Sequence, residues 1–309
     1  MNYNSQINIG IIGAGYLGKY HIEQLKKIEK INIVGFYDIN KERSAYISNK
    51  YSIDFMDIKN LLDKSNAVSI VTPTNTHYQI AKMAIKNGCN IFVEKPITDK
   101  VIQSSKLISM AKENKVIIQV GHIERFNPVY QLLNKFKIDP LFIECHRLSK
   151  LNKRGNDVSV ILDLMIHDID LICHLKNRDI DRIDSNGVSV VNDTIDIANA
   201  RITFNDNTIA NLTASRISDK NMRKMRIFTE GEYYNADLLN KSLDKYKLNN
   251  KGNPEKNCIM QPNDNSNALY NELYNFINAI RSCEESIIDG ECGRFALDIA
   301  LKIQDNIIG

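Results

Sequence analysis

The stretch from Ile7 to Gly18 restricts the fold of this chain more than any other: an apolar run, Ile7 to Ile12, leads into Gly13-Ala14-Gly15-Tyr16-Leu17-Gly18 and then into a segment with helical spacing. A strand that ends in a glycine turn and opens a helix is the nucleotide-binding corner of a doubly wound α/β domain. In such a corner Gly13 makes the turn, Gly15 lets phosphates approach backbone N–H groups, and Gly18 lets helix and strand pack closely, while the helix presents its positive end to the same anion. Tyr16 and Leu17, inside the turn, are candidates on the cofactor side with them. A second apolar run, Ile31 to Tyr37, closes on Asp38, 20 residues beyond Gly18. That spacing suits ribose recognition, and a carboxylate accepts from a 2′-hydroxyl but repels a 2′-phosphate, so the expected cofactor is NAD(H) rather than NADP(H).

β-Branched runs alternate with helix-like stretches as far as Gly121: Ile7 to Ile12, Ile31 to Tyr37, Ala67 to Val71, Asn90 to Val93 and Val116 to Val120 are the predicted strands. Such alternation predicts a parallel sheet with helices on both faces. Beyond Gly121 the pattern becomes α+β, with helices over Pro128 to Phe136 and Leu162 to Leu175 and a strand over Leu141 to Arg147. Antiparallel strands are predicted over Val188 to Val191, Asp196 to Phe204, Thr208 to Ser215 and Arg223 to Thr229, and Asn205-Asp206-Asn207 reads as a hairpin turn. Leu238 to Asn265, polar and rich in Asn and Lys, reads as irregular, while Ala268 to Cys283 and Arg294 to Ile308 carry helical spacing. The expectation is an α/β protein of two domains, a dinucleotide-binding domain over residues 1–121 and an α+β domain with a large, mainly antiparallel open sheet over residues 122–309, with the C-terminal helices free to pack back on the first.

Composition excludes several classes. With 309 residues, 43% of them apolar, the chain can bury a sizeable core, and its net charge of +3 comes from interspersed signs. Neither a nucleic-acid surface nor a membrane anchor is expected from that. The six cysteines show no C-x-x-C spacing and read as free thiols in a reducing compartment. No signal peptide or membrane-length apolar run is visible, so a cytoplasmic protein is expected.

Two segments follow predicted parallel strands, at the end of the sheet where such folds bind ligands: Thr72-Pro73-Thr74-Asn75-Thr76-His77 and Glu94-Lys95-Pro96. Lys95, extended by the following proline, can polarise a hydroxyl or share its proton. Farther on, Asp163 and His167 lie four apart on a predicted helix, where a carboxylate can fix the tautomer of an imidazole and raise its basicity. That pair suits the removal of an O–H proton while the carbinol hydrogen leaves as hydride. Asp168 reads as a capping or solvated acid and Asp170 falls on another face. His167, Asp170, Cys173 and His174 lie close in sequence but scatter around a helix, so no metal site is expected. Gln119 to Pro128 is dense in polar groups where one half hands over to the next. There Arg125 is a candidate anion clamp, with Arg147 and Arg154 downstream and Asn127 beside it, because a guanidinium fork matches phosphate oxygens.

The glycine turn with Asp38, Thr72-Pro73 through His77, Glu94-Lys95-Pro96 and Asp163-x-x-x-His167 occur in the order found in the glucose-fructose oxidoreductase, inositol dehydrogenase and rhizopine catabolism (Gfo/Idh/MocA) family, which the chain resembles over nearly its whole length. The resemblance implies a catalytic set of Lys95, Asp163 and His167, a cofactor site that includes Thr72, Pro73, Asn75, His77, Glu94 and Lys95, and a homodimer or homotetramer built on the open sheet. Within the family, Gly121 to Pro128 and Leu162 to Asp170 are most similar to enzymes that oxidise the C3 hydroxyl of UDP-N-acetylglucosamine. The implied substrate is therefore a UDP-linked N-acetyl sugar, with an aminotransferase as functional partner in lipid A or surface polysaccharide synthesis. Ser159 stands where those relatives often carry glycine. The alternatives are a dehydrogenase of the corresponding uronic acid, an inositol or polyol dehydrogenase, and a catalytically silent NAD sensor, which would need only the cofactor site.

Overall fold

The computed structural model describes residues 6–151, 158–176, 179–249, 251–260 and 266–308. They divide into two compact units, one of residues 1–123 and 267–297, the other of residues 124–266 and 298–309.

The first unit is a doubly wound sheet. Strands β1 (Ile7–Ile12), β2 (Ile31–Tyr37), β3 (Ala67–Ile70), β4 (Asn90–Glu94) and β5 (Ile118–Gly121) alternate with helices α1 (Tyr16–Leu25), α2 (Lys41–Tyr51), α3 (Ile58–Asp63), α4 (Thr74–Lys86) and α5 (Val101–Asn114). All five strands are parallel, in the order β2-β1-β3-β4-β5. The order reverses at β1, which opens a crevice at the carboxyl ends of β1 and β3. β1 is buried on both faces, as a central parallel strand must be, and its isoleucines join Ile22 and Leu25 of α1 in the core. Helix α8 (Ala268–Ser282) completes that core through Leu273, Phe276 and Ile277.

The second unit is an eight-stranded sheet. After α6 (Pro128–Lys135) come β6 (Phe142–Lys150), a π-helical turn (Ile161–Met165), α7 (Ile166–Lys176) and β7 to β13: Ile180–Val188, Ile197–Phe204, Ile209–Ser218, Met222–Phe228, Glu232–Asp237, Ser242–Leu248 and Pro254–Met260. The order is β13-β12-β11-β10-β6-β9-β8-β7, antiparallel except for the parallel pair β6 and β9. Alternation is clear in the centre: Ala198, Ala200, Ile202 and Phe204 of β8 are buried, as are Ala210, Leu212 and Ala214 of β9. Helix α9 (Gly290–Ile308) starts in the first unit and ends in the second.

Two expectations are corrected. The segment Leu238 to Asn265 is not irregular, since it carries β12 and β13; that hairpin lies at the sheet edge and β13 is almost wholly exposed, so its polar composition hides the strand period. Val188 to Val191 is not a strand beyond Val188. Asp196 there accepts from the backbone N–H of Val190, Val191 and Asn192 and from Arg216 Nε, which folds the segment into a loop. The strand lies upstream, in the polar edge sequence Ile180–Val188. The sheet beyond residue 140 is mainly antiparallel, as expected, with β6 and β9 a parallel pair within it. The six cysteines form no disulfide.

Candidate active site

The nucleotide corner is built as the glycine spacing demands. Gly13 has φ +94°, and a Cβ there would lie 2.4 Å from the Val71 carbonyl oxygen; a Cβ on Gly18 would lie 2.1 Å from the carbonyl oxygen of Gly13. Both positions are closed to any side chain. Gly15 differs, since a Cβ there would meet only Arg43 Nη1, at 3.9 Å. Protein packing does not require this glycine, so the open space before it, at the start of α1, fits a pyrophosphate. Tyr16 and Leu17 are exposed in the first turn of α1.

Asp38 is almost buried at the end of β2 and staples the same turn, with Oδ2 accepting from Ala14 N–H and Oδ1 from Asn40 N–H, each at 2.8 Å. Arg43 Nη1 adds contacts of 3.2 and 3.3 Å to the two oxygens from a 45% exposed side chain. This exposed, long contact is the one a ribose hydroxyl can displace.

The turns after β3 and β4 are held by two buried histidines. His77, on α4, places Nδ1 2.9 Å from the carbonyl oxygen of Pro96 and Nε2 2.8 Å from that of Thr72, so it ties the two turns together. Burial lowers its pKa, against the pull of those two carbonyls. Its ring nitrogens are committed to the backbone, which makes His77 a brace for the cofactor segment and not a group presented to a ligand. Pro73 and Asn75 are exposed, and Thr76 Oγ1 lies 2.7 Å from both Thr72 Oγ1 and the Pro73 carbonyl oxygen. His21, on α1, was not among the sequence candidates. Its Nδ1 lies 2.9 Å from Ser69 Oγ and its Nε2 3.0 Å from Glu94 Oε1. Lys95 follows, half-buried, and its bond to Pro96 is cis. The sequence did carry a signal for both histidines: His21 recurs with Gly18, Ile22 and Leu25, and His77 with Ile80, Ala81 and Ala84, on the buried faces of their helices.

In the second unit Asp163 lies in the π-helical turn and His167 in the first turn of α7. Both are half-buried, while Met165, Ile166, Asp168 and Ile169 around them are buried. The π turn, a device frequent at functional sites, offsets this pair from plain α-helical spacing. The residue that departs from the family pattern, Ser159, is buried and donates to Gln304 Oε1 at 2.6 Å.

Two of the arginine candidates, Arg125 and Arg147, are paired with carboxylates. Arg147 is 3% exposed and lies among carboxylates: its Nε and Nη2 donate to Asp168 at 3.0 and 2.7 Å, and its Nη1 donates to Glu124 at 2.7 Å. Arg125 forks onto Asp170 at 2.7 and 2.8 Å. Asn127 caps α6 by accepting from Val129 N–H and donates to Glu124 and to the Leu238 carbonyl. All three guanidinium nitrogens of Arg147, and Nε and Nη2 of Arg125, are thus held by carboxylates of the same unit. Asp168 is likewise a buried ion-pair partner, not a cap. Burial raises its pKa against the pull of Arg147, whereas for Glu124 the cost of burial is outweighed by Arg147 and Arg223, which hold it below the usual range. Arg154 lies outside the described residues. Among the described residues no group of three or more His, Cys, Asp or Glu is placed to hold a metal ion.

Residues 7–122 match an oxidoreductase family model described as an NAD-binding Rossmann fold, and residues 144–233 match the GFO/IDH/MocA C-terminal domain. The chain belongs to the Gfo/Idh/MocA oxidoreductase family. It is 35% identical over 303 residues, 96% of this chain and 95% of the relative, to a UDP-N-acetylglucosamine 3-dehydrogenase of Acidithiobacillus ferrooxidans. A solved structure of that enzyme superposes with a TM-score of 0.92 at 34% identity, covering 98% of each chain. A scyllo-inositol 2-dehydrogenase (NAD(+)) of Bacillus subtilis is 28% identical over 75% of each chain. The cofactor of this Gfo/Idh/MocA protein is NAD.

Proposed function

We propose that the protein is an NAD-dependent dehydrogenase that oxidises the C3 hydroxyl of UDP-N-acetylglucosamine to the 3-oxo sugar nucleotide. The observation that carries this reading is the 35% identity to a UDP-N-acetylglucosamine 3-dehydrogenase along 96% of the chain. Similarity to the inositol dehydrogenase is lower and covers less of the chain.

Lys95, Asp163 and His167 are the proposed catalytic groups. Bound NAD supplies the acceptor for the hydride from C3. The chain must take the proton from O3 and keep the new carbonyl polarised. His167 or Lys95 takes that proton, and Asp163, four residues earlier, orients the imidazole. Gly13, Gly15, Tyr16, Leu17, Gly18 and Asp38 hold the adenosine and phosphate half of the cofactor, and Thr72, Pro73, Asn75, Glu94 and Lys95 border the other half. The carboxylate of Asp38 favours NAD over NADP. Of the sequence-derived arginines, Arg154 remains the candidate for the diphosphate of the substrate.

The finer proposals follow from the same reading. The protein works in the cytoplasm as a homo-oligomer, in sequence with an aminotransferase that consumes the ketone. Among the described residues no helix is long and apolar enough to cross a membrane.

Absorbance at 340 nm tests the reading, with protein and NAD mixed in parallel with UDP-N-acetylglucosamine, its uronic acid and myo-inositol, and with an aminotransferase and glutamate added in a second set to draw off the ketone. A signal with the first sugar nucleotide alone is expected; a signal confined to either other compound overturns the substrate. Lys95→Ala should retain NADH binding and lose on the order of 100-fold in turnover. A sensor would show no turnover to lose.

A further inference from the structure

Asp38 ends β2 and the glycine turn ends β1, so these residues would hold the adenosine and phosphate half of NAD, and the ends of β3 and β4 would border the nicotinamide half. Glu94 is the last residue of β4, and its carboxylate lies across Gly121, where a Cβ would come within 2.8 Å of Oε2. Behind it, His21 is fully buried, with Ser69 Oγ 2.9 Å from Nδ1 and Glu94 Oε1 3.0 Å from Nε2.

A carboxylate only accepts, so Nε2 of His21 carries a proton and donates to Glu94. In the neutral ring Nδ1 then accepts, and the Ser69 hydroxyl donates to it. All three groups are satisfied in one arrangement, which fixes both the ring and the carboxylate. On the other side of Lys95, His77 grips the carbonyl of Pro96. The lysine is therefore bracketed by two residues that are each anchored to a buried histidine.

We propose that His21 is a positioning residue for the reactive half of the cofactor: through Glu94 it sets the turn that borders the nicotinamide and carries Lys95. The role of Lys95 rests on the functional reading above, but the effect on the cofactor does not. In a Gln side chain the amide nitrogen reaches the position of Nε2 and can still donate to Glu94. In an Asn side chain it reaches only that of Nδ1, on the Ser69 side. His21→Gln and His21→Asn thus separate the bond to Glu94 from simple occupancy of the site.

The experiment measures binding of NADH, by its fluorescence, and of ADP, by calorimetry, to the wild-type protein and both variants, with no sugar present. ADP lacks the nicotinamide half. His21→Asn should weaken NADH about tenfold and ADP less than about twofold, and His21→Gln should bind NADH within about threefold of wild type, since a hydrogen bond to a charged group is being removed or kept. Equal losses of NADH and ADP in both variants, or no loss of NADH in His21→Asn, would overturn the proposal. Should His21→Asn not fold, Glu94→Ala removes the other end of the bond from a partly exposed position, with the same selective loss of NADH expected and unchanged NADH binding overturning the idea. A wild-type protein that binds NADH yet ignores the sugar nucleotide defeats the functional reading and not this one.

Discussion

Replacement of Arg147 by methionine separates two roles that a sequence cannot tell apart. The guanidinium is 3% exposed and pairs with Glu124 and Asp168, each at 2.7 Å, and both carboxylates are 5% exposed. Methionine fills most of the volume but strands two buried carboxylates. Breaking such a pair from one side costs about 3–5 kcal/mol. Arg223 still reaches Glu124 at 3.2 Å, which favours the lower end of that range. For a unit of this size each kcal/mol shifts Tm by about 2–4 °C, so a loss of roughly 6–12 °C is expected by differential scanning calorimetry at pH 7.5. The sign with pH also follows. In the variant the stranded carboxyls have folded-state pKa values raised above their unfolded values, so the penalty is absent below the unfolded pKa and grows as pH rises through it. The Tm gap to wild type should therefore narrow toward pH 5. An unchanged Tm with a tenfold higher KM for the sugar nucleotide would refute the reasoning and restore Arg147 as a clamp.

Gly15→Ala should leave the Tm of the cofactor-free protein unchanged and weaken NADH by tenfold or more, because its Cβ enters open space; Gly18→Ala should lower Tm as well, because its Cβ would lie 2.1 Å from the carbonyl oxygen of Gly13. Calorimetry and NADH fluorescence read both. His174 lies with Nδ1 2.6 Å from the Tyr130 hydroxyl oxygen, and desolvation, followed by the charge of Arg125, pushes its pKa down to about 4. Its folded pKa lies below the unfolded one of about 6.5, so stability falls as pH drops through that window. Urea midpoints at pH 7.5 and 5 should fall less for His174→Gln than for wild type.

The first unit was legible because its motifs are local. A positive φ at Gly13 and the contact of Gly18 with Gly13 are properties of six consecutive residues, and Asp38 marks the end of the next strand. The pairing of Arg125 and Arg147 was not legible because their carboxylate partners lie far off in sequence, although one signal was present: Arg147 shares its face of β6 with the buried Ile143 and Cys145. An arginine on an apolar strand face must bring its own carboxylates, and Asp168 on α7 and Glu124 beside α6 supply them. The edge hairpin of β12 and β13 left no period to read, because exposed edge strands carry polar residues on both faces. His21 and His77 were legible as helix-face residues, but their partners, Glu94 and the Pro96 carbonyl, are joined to them only by the fold.

Deuterium transfer tests the central claim most directly. UDP-N-acetylglucosamine labelled with deuterium at C3 is incubated with the protein and NAD, and the reduced cofactor is weighed by mass spectrometry. The account predicts NADH one mass unit heavier and a sugar nucleotide that has lost its label as a ketone forms at C3. Unlabelled NADH, or no reduction by a protein shown to bind NAD, would contradict it.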